Sequence, residues 1–295
     1  MLLTAGAAVH PLHFLYAAVI LRAMTVDAHP CTALITGATA GMGAEYARQL
    51  AQAGFAVILV ARDALRLAAS AEALRGATGA TVETIAADLS TDAGVDLVVV
   101  RLQEGMADAS RYVEVLVNNA GFGTKGSLAS GPPGAQEAMV RLHVLAVHRL
   151  TDAAVRAMIP RGRGVVITVS SVASYLTSPG NVNYSATKAY QRIAMEALAP
   201  EVSRRGIYVQ AFCPGFTHTE FHARADMSTQ MIPRILWMHA DETVAVSLAA
   251  MRRRAPTTVI PGLLNRVIVS MLRVMPAWLL RRGTRPYDAT RRTDA

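Results

Sequence analysis

Ala33-Leu34-Ile35-Thr36-Gly37-Ala38-Thr39-Ala40-Gly41-Met42-Gly43 is a short apolar run that stops at a turn with glycines spaced Gly-x-x-x-Gly-x-Gly. A helical pattern, Gly43–Ala53, follows at once. A strand that ends on glycines and opens a helix leaves backbone N–H groups gathered at the helix N-terminus, where they receive a pyrophosphate. Taken alone, a three-glycine turn is a weak signal, and its weight depends on what surrounds it.

Outward from this turn, short β-rich runs alternate with longer helical patterns. Strands are predicted at Ala33–Thr36, Ala56–Val60, Val82–Ala86, Val113–Asn118, Gly164–Ser170, Tyr208–Cys213 and Thr258–Ile260. Helices are predicted near Gly43–Ala53, Ala64–Arg75, Ala93–Met106, Gln136–Ile159, Tyr184–Arg204 and Asp241–Arg253. This alternation is that of βαβ units, whose right-handed crossovers give a doubly wound, mostly parallel seven-stranded sheet flanked by helices. Ligands of such sheets bind at the carboxyl ends of the strands. The segment Phe216–His239, rich in Phe, His, Met and Trp, follows the sixth strand and is read as a helical lid over a substrate.

With 295 residues, 52% of them hydrophobic, the chain can bury one large core. The expected organisation is an apolar N-terminal extension over 1–30, one domain over 31–262, and a C-terminal amphipathic helix with a basic tail over 263–295. The 29 basic and 21 acidic residues give a net charge of +8. The basic residues are scattered arginines with no interleaved aromatics; only Lys125 and Lys188 are lysines, and nucleic acid is excluded as a partner. Cys31 and Cys213 lie in strand-like runs and are read as buried free thiols of a cytoplasmic protein. Leu12–Leu21 is strongly apolar, with no basic start before it. Three readings of the extension stay open: a start codon called too early, with Met24 the true one; a membrane-associated helix; or an element packed on the core. Leu263–Leu280, with Arg266, Arg273 and then Arg281-Arg282, is read either as a helix over the substrate cleft or as a surface that touches anionic lipid.

The chemistry lies further along. Tyr184 and Lys188 are four residues apart on a predicted helix, so phenol and ammonium share one face and the cation is expected to lower the phenol's pKa from roughly 10. Ser171 lies at the end of the fifth strand. In order along the chain come the Gly-rich turn, Asp88-Leu89, Asn118-Asn119-Ala120-Gly121, Ser170-Ser171, Tyr184-Ser185-Ala186-Thr187-Lys188 and Pro214-Gly215. This ordered series, spanning Thr32 to Ile260, closely resembles the short-chain dehydrogenase/reductase family.

The resemblance implies a Rossmann fold in which Tyr184 is the acid/base, Lys188 positions the nicotinamide ribose and Ser171 hydrogen-bonds the substrate carbonyl. It also implies a cofactor cradle of Thr36, Gly37, Thr39, Ala40, Gly41, Met42 and Gly43. Asp88 and Leu89 would lie at the adenine, and Asn119, Ala120 and Gly121 would line the cofactor. After Pro214 and Gly215, Phe216 and Thr217 would cover the nicotinamide end, with Thr219 nearby in the phosphate-facing lid. The second strand ends in Val60-Ala61-Arg62-Asp63, where NAD-specific relatives carry an acid at the place of Ala61; Arg62 instead offers a fork for a 2′-phosphate, which favours NADP(H) over NAD(H). Asp63 is read as a helix cap. The family's catalytic asparagine, which holds a water linking the lysine to solvent, is missing: Val140-Arg141-Leu142-His143-Val144-Leu145-Ala146 places His143 there. An imidazole can relay in its stead by accepting at one nitrogen and donating at the other.

The expected activity is that of an NAD(P)-dependent oxidoreductase, a reductase of a hydrophobic ketone or aldehyde (steroid-like, fatty-acyl-derived or xenobiotic) or the reverse alcohol dehydrogenase. The rival is a nucleotide-binding regulatory or scaffold protein that turns over poorly because of His143. His218, His222 and His239 are read as polar lid residues, with no metal site. A homodimer or homotetramer is implied through the helices Gln136–Ile159 and Tyr184–Arg204.

Overall fold

A computed structural model describes residues 31–124, 128, 134–177, 180–221 and 233–275. The expectations for residues 1–30, for His222 and for the tail beyond 275 therefore lie outside the described residues. Strands β1 (Thr32–Thr36), β2 (Ala56–Ala61), β3 (Val82–Ala86), β4 (Val115–Asn118), β5 (Gly164–Val169), β6 (Ile207–Phe212) and β9 (Thr258–Val259) form one parallel sheet in the order β3-β2-β1-β4-β5-β6-β9. The order reverses between β1 and β4, and this is the point at which a doubly wound sheet opens a crevice. Strands β4, β5 and β6 are buried along their whole length, as suits parallel strands covered on both faces.

Helices α1 (Gly41–Gln52), α2 (Ala64–Thr78) and α7 (Ala240–Arg253) cover one face of the sheet through Tyr46, Leu50, Leu67 and Leu248. On the other face, α3 (Asp92–Ala107), α5 (Val147–Met158) and α6 (Val182–Val202) contribute Val98, Leu102, Leu150, Met158, Met195 and Val202. The last described helix, α8 (Leu263–Val274), buries Asn265 and Val269. A Cβ on Gly215 would lie 2.6 Å from Asn265 Nδ2, so the start of α8 sits directly on the turn that follows β6.

Three expectations need correction. The single helix Gln136–Ile159 is α4 (Ala135–Val140), a π-helical stretch Arg141–Ala146, and α5. One widened turn leaves the helical periodicity almost unchanged, so the sequence pattern does not reveal it. The lid is not helix alone: besides the helical start at Glu220–Phe221 and the 3-10 turn Arg234–Leu236, β7 (Phe216–Thr217) pairs with β8 (Trp237–Met238), tying both ends of the segment together. Two-residue strands are too short to print an alternation. Finally, Cys213 is buried but Cys31 is half-buried, its thiol donating to Glu114 at 3.1 Å.

Candidate active site

The Gly-rich turn is held by hydrogen bonds from the neighbouring strand end. Thr36 Oγ1 accepts from the backbone N–H of Asn119 at 2.9 Å and of Ala120 at 3.0 Å, while Asn119 Nδ2 donates to Thr36 O at 2.9 Å. Gly37 has φ 66° and Gly41 φ 52°, both in the left-handed region that favours glycine. Gly43 is compelled by space: a Cβ there would fall 2.2 Å from Gly37 O. Helix α1 has no side-chain cap and no acid in its first turn, so its leading N–H groups and the positive end of its dipole face outward unneutralised. A cradle of bare backbone with these donors fits the pyrophosphate of a dinucleotide. Thr36 and Asn119 thus act on the turn itself, and Gly37, Thr39, Ala40, Gly41 and Met42 present it.

Tyr184 is enclosed. Its ring lies 6.1 Å from that of His143, edge-on, and 5.8 Å from that of Phe221 at the start of the lid. Burial pushes the phenol up to about 12, and the Ser171 hydroxyl pulls the other way. Ser171 also accepts from Ala173 N at 3.1 Å, capping the short turn Val172–Tyr175. Its neighbour Ser170 points elsewhere, donating to the carbonyl of Lys188 at 2.7 Å.

Lys188 Nζ lies 5.9 Å from the Tyr184 ring centre and is buried, which pulls it down from 10.5 to about 7. It donates to Val169 O at 2.7 Å and to Gln191 Oε1 at 3.0 Å. The expected relief of the phenol by the lysine therefore yields to burial in the protein alone. Both groups are desolvated together, and desolvation disfavours each charged form.

His143 is fully buried, and burial together with the Lys188 charge lowers it well below 6.5. Its Nε2 accepts from Phe122 N at 3.1 Å, which leaves the ring proton on Nδ1, 3.1 Å from Thr187 Oγ1. Both ring nitrogens are thus engaged by Phe122 N and Thr187 Oγ1, and neither bonds Lys188 directly. Gly121 lies against the same ring: a Cβ there would meet Nε2 at 2.9 Å. Sequence reasoning missed Gln191, whose Nε2 donates to His143 O at 2.9 Å. A polar residue one turn beyond Lys188 on an otherwise buried face was the only available signal.

At the second strand's end Arg62 is exposed, and its charge, after the two hydrogen bonds from Ser90, helps hold the Asp88 carboxyl below its ordinary range. Asp63 caps α2, accepting from Arg66 N at 3.0 Å, as expected. Leu89 is buried. In the lid, the Phe216 and Trp237 rings are 5.7 Å apart and His218 stacks on Trp237 at 4.6 Å. Thr217 is buried, and Thr219 closes on the cradle, 3.1 Å from where a Gly41 Cβ would be. Val172 N donates to Pro214 O at 3.0 Å, which ties the turn at Pro214-Gly215 to the Ser171 strand end. Among the described residues no three His, Cys, Asp or Glu side chains gather as a metal set.

A doubly wound sheet with a capless glycine turn at its switch point, a serine just after β5, and a half-buried Tyr184 and buried Lys188 on α6 beside it define a nucleotide-dependent oxidoreductase. The short chain dehydrogenase family profile matches residues 31–229. The chain belongs to the short-chain dehydrogenase family, whose members use NAD(P) to interconvert CH–OH and C=O groups. It is similar to a short-chain dehydrogenase from Sphingobium yanoikuyae solved with NADPH, at 33% identity and a TM-score of 0.73 over 84% of this chain and 97% of that one. The bulky-bulky ketone specific alcohol dehydrogenase from Comamonas testosteroni gives 29% identity and a TM-score of 0.70 over 90% and 99%. Gluconate 5-dehydrogenase of Gluconobacter oxydans is 30% identical over 73% of this chain and 85% of that protein.

Proposed function

We propose that the protein is an NADP(H)-dependent reductase of a hydrophobic ketone or aldehyde, or the reverse alcohol dehydrogenase. The observation that carries this reading is the Tyr184 phenol, half-buried beside Ser171, with Lys188 one turn on and the aromatic Phe221 beside it. A nicotinamide cofactor supplies or accepts the hydride. The chain's own residues do the rest. The α1 amides and the glycine turn hold the diphosphate, and Arg62, exposed and without an acid at Ala61, receives the 2′-phosphate. Ser171 steadies the carbonyl oxygen as it gains charge, and Tyr184 gives it a proton. Burial keeps the phenol protonated, so the proton it would give in the reducing direction is in place. Phe216, Phe221 and Trp237 give the substrate side an aromatic wall, and the similarity to a bulky-ketone alcohol dehydrogenase supports a large apolar carbonyl.

The test is a fluorescence titration with NADPH and NADH, repeated for Arg62→Ala, followed by cofactor oxidation with a carbonyl panel. Tighter NADPH binding that weakens in the variant, with turnover lost in Tyr184→Phe, is the expected result. Binding with no turnover on any carbonyl would overturn the reading. Exposed apolar residues on the helices named for assembly, Leu145, Tyr190 and Ile193, support a homodimer or homotetramer, measurable by light scattering. Leu263, Val267, Met271 and Val274 form an exposed apolar stripe on α8 beside Arg266 and Arg273, which favours peripheral contact with anionic lipid. Absence from the pellet in liposome co-sedimentation would sink that contact.

A further inference from the structure

The buried ammonium of Lys188 is fixed by a bridge made wholly of protein atoms. Gln191, 1% exposed and one turn further along α6, accepts from Lys188 Nζ with Oε1 at 3.0 Å and donates from Nε2 to His143 O at 2.9 Å. The amide has one workable orientation, because flipping it would set an NH₂ against an ammonium. His143 O lies in the π-helical stretch Arg141–Ala146, where the hydrogen-bond register differs from that of the flanking α-helices. The His143 ring is pinned at both nitrogens, by Phe122 N and Thr187 Oγ1, which holds that carbonyl in place. Lys188 has three donors: Val169 O takes one and Gln191 a second, leaving one for a ligand.

We propose that Gln191 is a positioning residue which, with the His143 carbonyl, holds and stabilises the Lys188 ammonium by a direct side-chain bridge in place of the family's asparagine-held water. The proposal deepens the reading of Lys188 given above and rests on it for function, though not for its test. The charged and titratable groups facing Lys188 are Tyr184 on its own helix, His143 on the π-helical stretch and Cys213 after β6. All three are common to the wild type and the variants, so a shift between them reports on residue 191.

Because the chain has only two lysines, Lys125 and Lys188, NMR of protein labelled at the lysine Cε carbon gives two resonances, assigned with Lys125→Arg. The wild-type Lys188 resonance is expected to titrate far below an ordinary lysine. Gln191→Leu removes an acceptor and should lower its midpoint further, by ~1 pH unit, whereas Gln191→Glu should raise it by at least as much. Gln191→Met serves if the leucine variant does not fold. A high-pH limb of kcat moving in the same opposite senses, with NADPH affinity kept, would extend the bridge to catalysis. Superimposable Lys188 titrations in the wild type and in the variants would overturn the proposal. The titration needs no turnover, so a wild type inactive on every carbonyl would sink the functional reading while leaving the bridge to be decided.

Discussion

The glycine turn after β1 and the Lys188 cluster beneath α6 both lie at the carboxyl ends of the same sheet, yet they are built in opposite ways. The turn is a backbone device: its donors are N–H groups, and its glycines are fixed by contacts such as Gly43 against Gly37 O. The cluster is a side-chain device assembled across distant segments, with Gln191 and His143 separated by 48 positions in the chain. A backbone device leaves a spaced motif, whereas a side-chain device leaves scattered residues. The first tolerates changes of side chain but not of space, and the second behaves the other way round.

Breaking the cluster at its reacting group should give the largest effect. Tyr184→Phe keeps the packing against His143 and Phe221 and removes the proton donor, so kcat should fall by ~10²–10⁴ in stopped-flow carbonyl reduction with NADPH affinity unchanged. A matching loss of affinity would mean that the phenol holds cofactor rather than reacts. On the other side of the comparison, Gly43→Ala drives a methyl into the Gly37 carbonyl. It should cost about 1–3 kcal/mol in urea unfolding and abolish measurable NADPH binding, while Met42→Leu beside it does neither.

Arg62→Ala should weaken NADPH by ~10- to 100-fold and leave NADH alone, since a charge-assisted hydrogen bond contributes about 1.5–3 kcal/mol. Equal weakening of both would place Arg62 away from the 2′-phosphate. Gly121 and His143 meet where turn and cluster touch, the glycine Cβ position lying 2.9 Å from the imidazole. Gly121→Ala should therefore cost about 1–3 kcal/mol with His143 present and clearly less in a His143→Ala background, a coupling that a double-mutant cycle measures.

The remaining effect is electrostatic and shows only as a dependence on pH. Lys188 falls from 10.5 to about 7 on folding, so between those pH values the unfolded chain binds the extra proton. Stability should rise as pH rises through this window in the wild type relative to Lys188→Met, where the contribution is gone; parallel curves for the two proteins would contradict the burial.

Most of the fold was legible, because strands β1 to β6 and the helices between them are long enough to print their periods, and the motif residues fall at strand ends where local rules place them. Asp63 as a helix cap was legible for the same reason, since the cap lies within four residues of what it satisfies. The π-helical stretch and the β7–β8 ribbon were not, being respectively one displaced hydrogen-bond register and two residues long. Nor was the expected effect of Lys188 on Tyr184, which depends on how deeply both are buried.

By itself the sequence determined the doubly wound sheet, the glycine-rich turn and the set of Tyr184, Lys188 and Ser171, since each is encoded by residues close together or by a spacing that repeats. Only the tertiary structure decided which polar groups meet Lys188, that both His143 nitrogens are engaged elsewhere, and that Gln191 spans the gap to the His143 carbonyl. Hydrogen-bond partners chosen across such separations depend on how packed helices bring side chains within 3 Å, and desolvation depends on everything around them.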